Sequence, residues 1–331
     1  MPSPSARPLR SPSPHRGHAI PHDHQHAAAS VPGSTSNLGA GFDCIGVAID
    51  RWLHASARAT GGDAPPRIAR HGTLAVLREP PERDALWLGF RAACAERGVK
   101  PPGGLVFTAR SSIPVGRGLG SSAAALVAGA ALADAMLDLG LGASGLAALG
   151  TRLEGHPDNA TPAVFGGAVL AVAREGCPLA IAPLEVHQTL AFVFAIPDFT
   201  VDTSAARAAL PASLPHATAV RAAARAAALV RGLATGDGAL LAAALDDVLH
   251  VPYRRSLIPG YDAVTLAAIE AGAFGATLSG AGSGIVALAP ALAAEVVGGA
   301  MRAAWSALGI GAETFAHTRP VRGYEMREGS P

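Results

Sequence analysis

An α+β protein of two domains is what this 331-residue sequence predicts. Three observations carry that reading. The length suits about two domains, since single domains usually run to ~100–200 residues. Half of the residues are hydrophobic and 15% are charged, enough to bury a real core and to exclude global disorder. Apolar runs of strand length and of helix length are mixed without the regular βαβ period of a parallel sheet.

Residues 1–28 are rich in Pro, Ser, Arg and His, show no apolar periodicity and read as a disordered tail. The tail lacks the apolar core of a secretory signal. His22, His24 and His26 could catch a metal ion, but a solvated tail or a misassigned start codon is the favoured reading. Ala28–Val31 reads as a short strand, followed by a Gly-rich loop to Asp43, and Cys44–Asp50 and Trp52–Ala59 read as further strand. Asp84–Arg97 has helical spacing in Leu86, Leu88, Phe90, Ala93 and Cys94, with Asp84 as N-cap and Gly98 past the end. Leu105–Ala109 is a strand, and Ser122–Leu139 and Ser144–Leu153 are helices. Gly166–Ala173 and Leu190–Ile196 are strands around an irregular segment at Cys177–Pro183. Helices follow at His216–Leu233, Ala239–Leu249 and Tyr261–Ala271. Gly275–Ser279 and Ile285–Ala289 form a hairpin, Ala291–Leu308 a helix, and Glu313–Thr318 an edge strand. A break near 184–190 divides the chain into domains at 29–187 and 188–320, with a tail at 321–331.

Composition removes several functions. The net charge of +1 and the 5% aromatic content give no electrostatic or stacking case for a nucleic-acid partner. The single lysine, Lys100, sits in a Gly-Val-Lys-Pro-Pro turn and suits neither a Walker loop nor a Schiff base. Cys44, Cys94 and Cys177 lie far apart, in no zinc or disulfide spacing, so reduced thiols in a cytoplasmic protein are expected. No apolar run is long enough for a membrane span.

The strongest motif is Ile113-Pro-Val-Gly-Arg-Gly-Leu-Gly-Ser-Ser-Ala-Ala124, between a strand and a long helix. Its three glycines allow a tight turn and close approach to a ligand. The N–H groups at the helix start then point at an anion, and Ser121 and Ser122 add donors or a metal ligand. Phosphate binding is the physical reading; an ordinary glycine turn with a serine cap is the alternative. The Rossmann fingerprint fails for want of its third glycine. In Glu154-Gly-His-Pro-Asp-Asn159, Glu154 and Asp158 suit Mg²⁺ or a base and Asn159 a hydroxyl, with a capping turn as the alternative. Asn37 and Asp43 frame a loop fit for a polar, cationic group, or an Asx turn. Arg254 and Arg255, between Pro252 and Pro259, suit bidentate carboxylate recognition, or a solvated loop. Arg207 is a weaker candidate. The Gly-rich run Gly275–Gly284 is placed to support the phosphate loop. A phosphate loop, metal carboxylates and arginines for an anionic substrate together suit phosphoryl transfer, which needs positioning and charge neutralisation.

These segments resemble a known family. Pro114-x-x-x-Gly118-Leu119-Gly120-Ser121-Ser122 is similar to the phosphate motif of the GHMP kinases. The segments Val31–Asp43, Glu154–Asn159 and Pro252-Tyr-Arg with Leu257-Ile-Pro-Gly260 resemble that family's homoserine kinase branch, and Thr277–Gly284 resembles its third motif. The resemblance implies an N-terminal domain like ribosomal protein S5 domain 2 and a ferredoxin-like C-terminal domain. It implies ATP-dependent phosphorylation of the L-homoserine hydroxyl, a step toward threonine. Pro114, Val115, Gly116, Arg117, Gly118, Leu119, Gly120, Ser121, Ser122, Ala123 and Ala124 would wrap the ATP phosphates, and Ser122 and Glu154 would hold Mg²⁺. Asn37, Asp43, Arg207 and Arg254 would surround homoserine, Asp43 on the amino group and the arginines on the carboxylate. Arg207 would also approach the transferring phosphoryl group, and Asn159 the acceptor hydroxyl. Asp158 would belong to the site without a proton assigned to it. Gly33, Thr35, Ala160 and Thr161 depart from the family's usual residues, but none carries a charge. Neither nucleic acid nor membrane is implied as a partner, and a homodimer is one assembly open to it.

Overall fold

The structure, a computed structural model, describes residues 26–327. The tail expected over 1–28, with His22 and His24, lies outside the described residues as far as position 25; residues 26–28 are strand instead. β1 (His26–Asn37) and β2 (Gly41–Ala59) form a long antiparallel hairpin with register shifts at Pro32/Gly33 and Ser36/Asn37. Most of the loop expected after Val31 is therefore strand. Ser34, Thr35 and Ser36 look like turn chemistry, but all three are buried here, and their hydroxyls bond to side chains far along the chain.

β3 (Arg67–Gly72) is an exposed strand that the sequence reading missed. It pairs in parallel with β4 (Leu105–Ser111). α1 (Ala85–Glu96) starts as expected, the Asp84 carboxylate accepting from the Leu86 N–H at 2.9 Å. α2 (Ser121–Leu137) is buried almost all round, and its small residues let it lie against α1. A Cβ on Gly129 would stand 1.9 Å from the Leu86 carbonyl, and one on Gly89 2.0 Å from that of Leu126. α3 (Gly142–Glu154) and α4 (Ala160–Phe165) follow, then β5 (Ala168–Val172) and β6 (Ala180–Leu184), the latter in the segment expected to be irregular. The first sheet has the order β11-β1-β2-β4-β3, with β5 on β2 and β6 on β5. Its first-named strand, β11 (Glu325–Arg327), comes from the segment expected as a C-terminal tail and pairs antiparallel with β1.

The second sheet begins with β7 (Leu190–Pro197). After it come α5 (Thr203–Ala208), α6 (His216–Thr235), α7 (Gly238–Leu245), α8 (Val251–Arg254) and α9 (Tyr261–Glu270). β8 (Gly275–Leu278), β9 (Ile285–Pro290), α10 (Ala294–Ser306) and β10 (Ala312–His317) complete it, in the antiparallel order β10-β7-β9-β8. The helix expected to run to Leu249 stops at Leu245. Asp247 turns the chain there, accepting from the N–H groups of Leu249, His250 and Val251 and so capping α8. Along β7, Phe192, Phe194 and Ile196 join the core under the first sheet, while Ala191, Val193 and Ala195 face a second core with α9 and α10. Among the described residues no helix is long and apolar enough to cross a membrane.

Candidate active site

The phosphate-loop candidate runs from the end of β4 to the first turn of α2. Gly116, Gly118 and Gly120 have φ of 67°, 71° and 68°, a region that favours glycine. Gly120 is the N-cap of α2 and offers no side chain, so the first N–H groups of the helix are left open toward the cleft. The glycines serve the protein's own packing as well. A Cβ on Gly118 would lie 1.9 Å from the Ser279 carbonyl, and one on Gly120 2.2 Å from Ser34 Oγ.

The second Gly-rich loop, between β8 and β9, is laced into the first. Ser279 Oγ donates to the Gly118 carbonyl at 2.7 Å and pairs with Thr35 Oγ1 at 2.8 Å. Gly284 N–H donates to the Arg117 carbonyl, and Gly280 N–H to that of Ser36. Asn37 joins the same lacing. Its Nδ2 donates to the Gly280 carbonyl at 2.9 Å, and its Oδ1 accepts from the Asp43 N–H at 3.0 Å. At 3% exposure, Asn37 holds the Asp43 backbone in place while still lining the cleft.

The acidic cluster sits where α3 ends, at a left-handed Gly155. Burial pushes the Glu154 carboxyl up from an ordinary 4.5 to about 7; His156 and a hydrogen bond with Ser122 oppose the shift, and Asp158 adds to it. Among the described residues no Lys or Arg pairs with Glu154. His156 Nδ1 and Asp158 Oδ1 lie 2.5 Å apart. Burial alone would lower the His156 pKa, but the bond to Asp158 and the charges of Asp158, Glu154 and Asp43 raise it on balance. Asn159 bridges two β1 hydroxyls, its Oδ1 accepting from Ser34 at 2.9 Å and its Nδ2 donating to Ser36 at 3.1 Å. Asp43, His156 and Asp158 bring one ligand atom each within 4.8 Å of one another. His156 and Asp158 bond each other, however, and Arg207 grips Asp43. Glu154 and Ser122 likewise bond each other, but no Lys or Arg pairs with either among the described residues, so this oxygen pair can turn to a cation.

The arginines differ from expectation in one respect. Arg207 Nη1 and Nη2 reach Asp43 Oδ2 and Oδ1 at 2.6 and 3.1 Å, a bidentate pair. Arg254 is 3% exposed and forms no ion pair among the described residues. Its Nε donates to the Ala206 carbonyl at 3.0 Å. Burial and the nearby Arg207 charge lower its pKa, against Asp43, Asp158 and Asp247.

Asn37, Asp43, the 115–122 loop, Glu154, His156, Asp158, Asn159, Arg207 and Arg254 line one cleft of about 450 Å³. Pro114, Ala123 and Ala124, expected to touch nucleotide, do not line it: the two alanines are fully buried in α2, and Pro114 lines a neighbouring groove. The sequence reading also missed most of the cleft's apolar end, where Leu53, Ile68, Leu74 and Leu77 join Val115 of the phosphate-loop motif. It is flanked by Arg70 and Asp84, which pair at 2.7 Å. No motif marks those four leucine and isoleucine residues; β2, the exposed strand β3 and the turn after it bring them to the loop.

Comparisons with known proteins bear on the family of the chain. Residues 85–167 match the family described as GHMP kinases N terminal domain, and residues 223–307 match GHMP kinases C terminal. The homoserine kinase of Synechococcus sp. is 43% identical over 282 residues, 85% of this chain and 91% of that protein. That of Gloeobacter violaceus is 44% identical over 83% of this chain and 91% of its own length. A crystal structure of homoserine kinase from Cytophaga hutchinsonii superposes with a TM-score of 0.82 at 28% identity, covering 95% of this chain and 100% of that one.

Proposed function

The chain belongs to the GHMP kinase family, among its homoserine kinases, and from that premise we propose that it transfers the γ-phosphoryl group of ATP to the side-chain hydroxyl of L-homoserine. The product, O-phospho-L-homoserine, lies on the way to threonine. One observation carries the substrate reading. Arg254 is a buried cation that pairs with no carboxylate among the described residues, in the same cleft as an open helix N-terminus. A buried charge without a partner is costly, and a substrate carboxylate supplies the partner.

The remaining residues divide the work between the two ends of the cleft. The first turn of α2 and the 115–122 loop hold the phosphates, and the apolar end around Ile68, Leu74 and Leu77 takes the nucleoside. Asp43 faces the ammonium group. Arg207, paired with Asp43, would meet both substrate charges. Ser122 and Glu154 fit Mg²⁺: both offer hard oxygen ligands, and Glu154 is a carboxyl whose ionisation a nearby cation would favour. When bound there, the ion neutralises charge on the phosphates. Asn159, fixed by Ser34 and Ser36, orients the acceptor hydroxyl. That oxygen forms its bond to the γ-phosphorus as the bond to the ADP oxygen breaks. In this reading the hydroxyl proton passes to the phosphoryl oxygens, as the family resemblance implies, and Asp158, whose Oδ1 is engaged by His156, belongs to the site without a proton assigned to it.

The test is ADP release from ATP with homoserine, threonine, serine, mevalonate and galactose as acceptors. Homoserine should give by far the highest kcat/KM. Equal turnover of mevalonate or galactose, or none with homoserine, would overturn the reading.

A further inference from the structure

Phe42 has no part in the reading above, yet it touches the groups that would hold the amino acid. The guanidinium carbon of Arg254 lies 5.3 Å from its ring centroid and that of Arg207 5.5 Å. The His250 imidazole stacks on the same ring at 4.9 Å and 19°. Two cations therefore share one aromatic ring, and among the described residues only one of them is paired with a counter-charge. Arg207 has Asp43. Arg254 has the Ala206 carbonyl, the His250 Nδ1 at 3.4 Å from its Nη1, and the Phe42 ring.

Each of those three partners is electron-rich and uncharged. Burial holds the His250 imidazole down to about 4, so at neutral pH it is neutral beside the guanidinium. A receptor for an external carboxylate needs this kind of surrounding. A protein carboxylate on Arg254 would compete with the ligand, and an unsupported charge would turn away from the cleft or destabilise the fold. An aromatic face attracts the cation without neutralising it. The backbone fixes the relation. Arg254 N–H donates to the His250 carbonyl across one turn of α8, and Asp247 holds the His250 and Val251 N–H groups.

We propose that Phe42, braced by His250, is a positioning residue that sets the preference for a carboxylate-bearing acceptor by holding Arg254 charged, oriented and unpaired. The proposal rests on the homoserine reading of the cleft. It predicts a loss confined to the carboxylate end of the ligand, which a merely structural role would not produce.

The experiment compares binding of L-2-aminobutyrate and its carboxamide to the full chain by calorimetry. The two ligands differ only in the anionic group. Wild type should prefer the acid. Phe42→Leu should cut the acid-to-amide ratio roughly tenfold, within the range of a desolvated cation–π contact. Phe42→Tyr should keep the ratio within about twofold, and ATP affinity should hold in both variants. If Phe42→Leu does not fold, Phe42→Met supplies apolar bulk without the ring and carries the same comparison. An unchanged ratio in the ring-less variant, equal weakening of both ligands, or a Tyr variant as poor as Leu overturns the proposal alone. A wild type that does not prefer the acid overturns the proposal together with the homoserine reading.

Discussion

Arg254 shows how much a single side chain decides here. Its fork is the feature a lysine cannot copy, since an ammonium is a compact point charge without two parallel donors. Arg254→Lys should therefore weaken homoserine binding by ~1–3 kcal/mol, the scale of a charge-assisted hydrogen bond, and leave ATP affinity nearly intact. Unchanged homoserine kinetics in a folded Arg254→Lys protein would remove the carboxylate role. Glu154→Gln keeps the shape and deletes the charge that would face the cation. Turnover should fall by roughly 10²-fold or more at fixed Mg²⁺, with homoserine affinity less affected. Wild-type turnover in that variant at low Mg²⁺ would exclude Glu154 as a ligand. Gly120 is a poor probe of the nucleotide by contrast. A side chain there meets Ser34 Oγ at 2.2 Å and a φ of 68° before any ligand arrives, so Gly120→Val reports on loop folding first.

At the scale of elements, the phosphate loop owes its shape to segments far away in sequence. Ser279 is the hinge pin: it bonds Gly118 and Thr35 at once, and so ties the phosphate loop, β1 and the β8–β9 loop together. Ser279→Ala leaves a buried hydroxyl and a carbonyl without that partner. It should cost about 1–3 kcal/mol of stability and raise the ATP KM several-fold with little change in kcat. A Ser279→Ala protein with wild-type stability and ATP KM would show the two loops to be independent. This lacing also explains what the sequence made legible. Asp84 as a cap and the Ala-rich run of α2 are local signals, and both elements start within a residue of where they were expected. Asp43, Glu154, Asp158 and Arg254 are legible as candidates because their charges stand in recognisable segments, and Arg207 as a weaker one. The partners of Ser34, Ser36, Ser279 and His250 are not legible, because a small hydroxyl or a histidine shows its role only once its partner is known. β3 and β6 escaped for the opposite reason. Each carries exposed residues on a sheet edge, where apolar alternation fades.

For the molecule as a whole, the two sheets are less separate than the break near 184–190 suggests. Phe192, Phe194 and Ile196 of β7 and Val286 and Leu288 of β9 belong to one continuous core with Val31, Ile49 and Phe107 of the first sheet. His317 is stacked into this seam, 5.3 Å from Phe192 and 5.7 Å from Phe194, and burial holds it down to about 4 from an ordinary 6.5. His250 is lowered to about 4 as well, chiefly by burial. As pH falls from 6.5 toward 4, the unfolded chain protonates these two histidines while the folded chain refuses, so their contribution to stability falls across that window. Glu154 and His156, whose pKa values are raised, act the opposite way, so the test is a difference: the urea midpoint of wild type should fall relative to that of His317→Gln between pH 7 and pH 5, and parallel pH profiles would contradict this. The shared core makes a stronger demand. Unfolding the second sheet alone would strip Phe192, Phe194 and Ile196 from the first sheet's core and expose both faces to water. The cost would approach that of unfolding everything, because each large apolar side chain is worth ~1.5–3 kcal/mol when buried. The two halves should therefore melt together, as one calorimetric transition with equal calorimetric and van't Hoff enthalpies. Phe194→Ala should move that transition down without splitting it, by about 3–5 kcal/mol. Two resolved transitions in the wild type would show that the sheets fold as independent units and that the seam between them is weak.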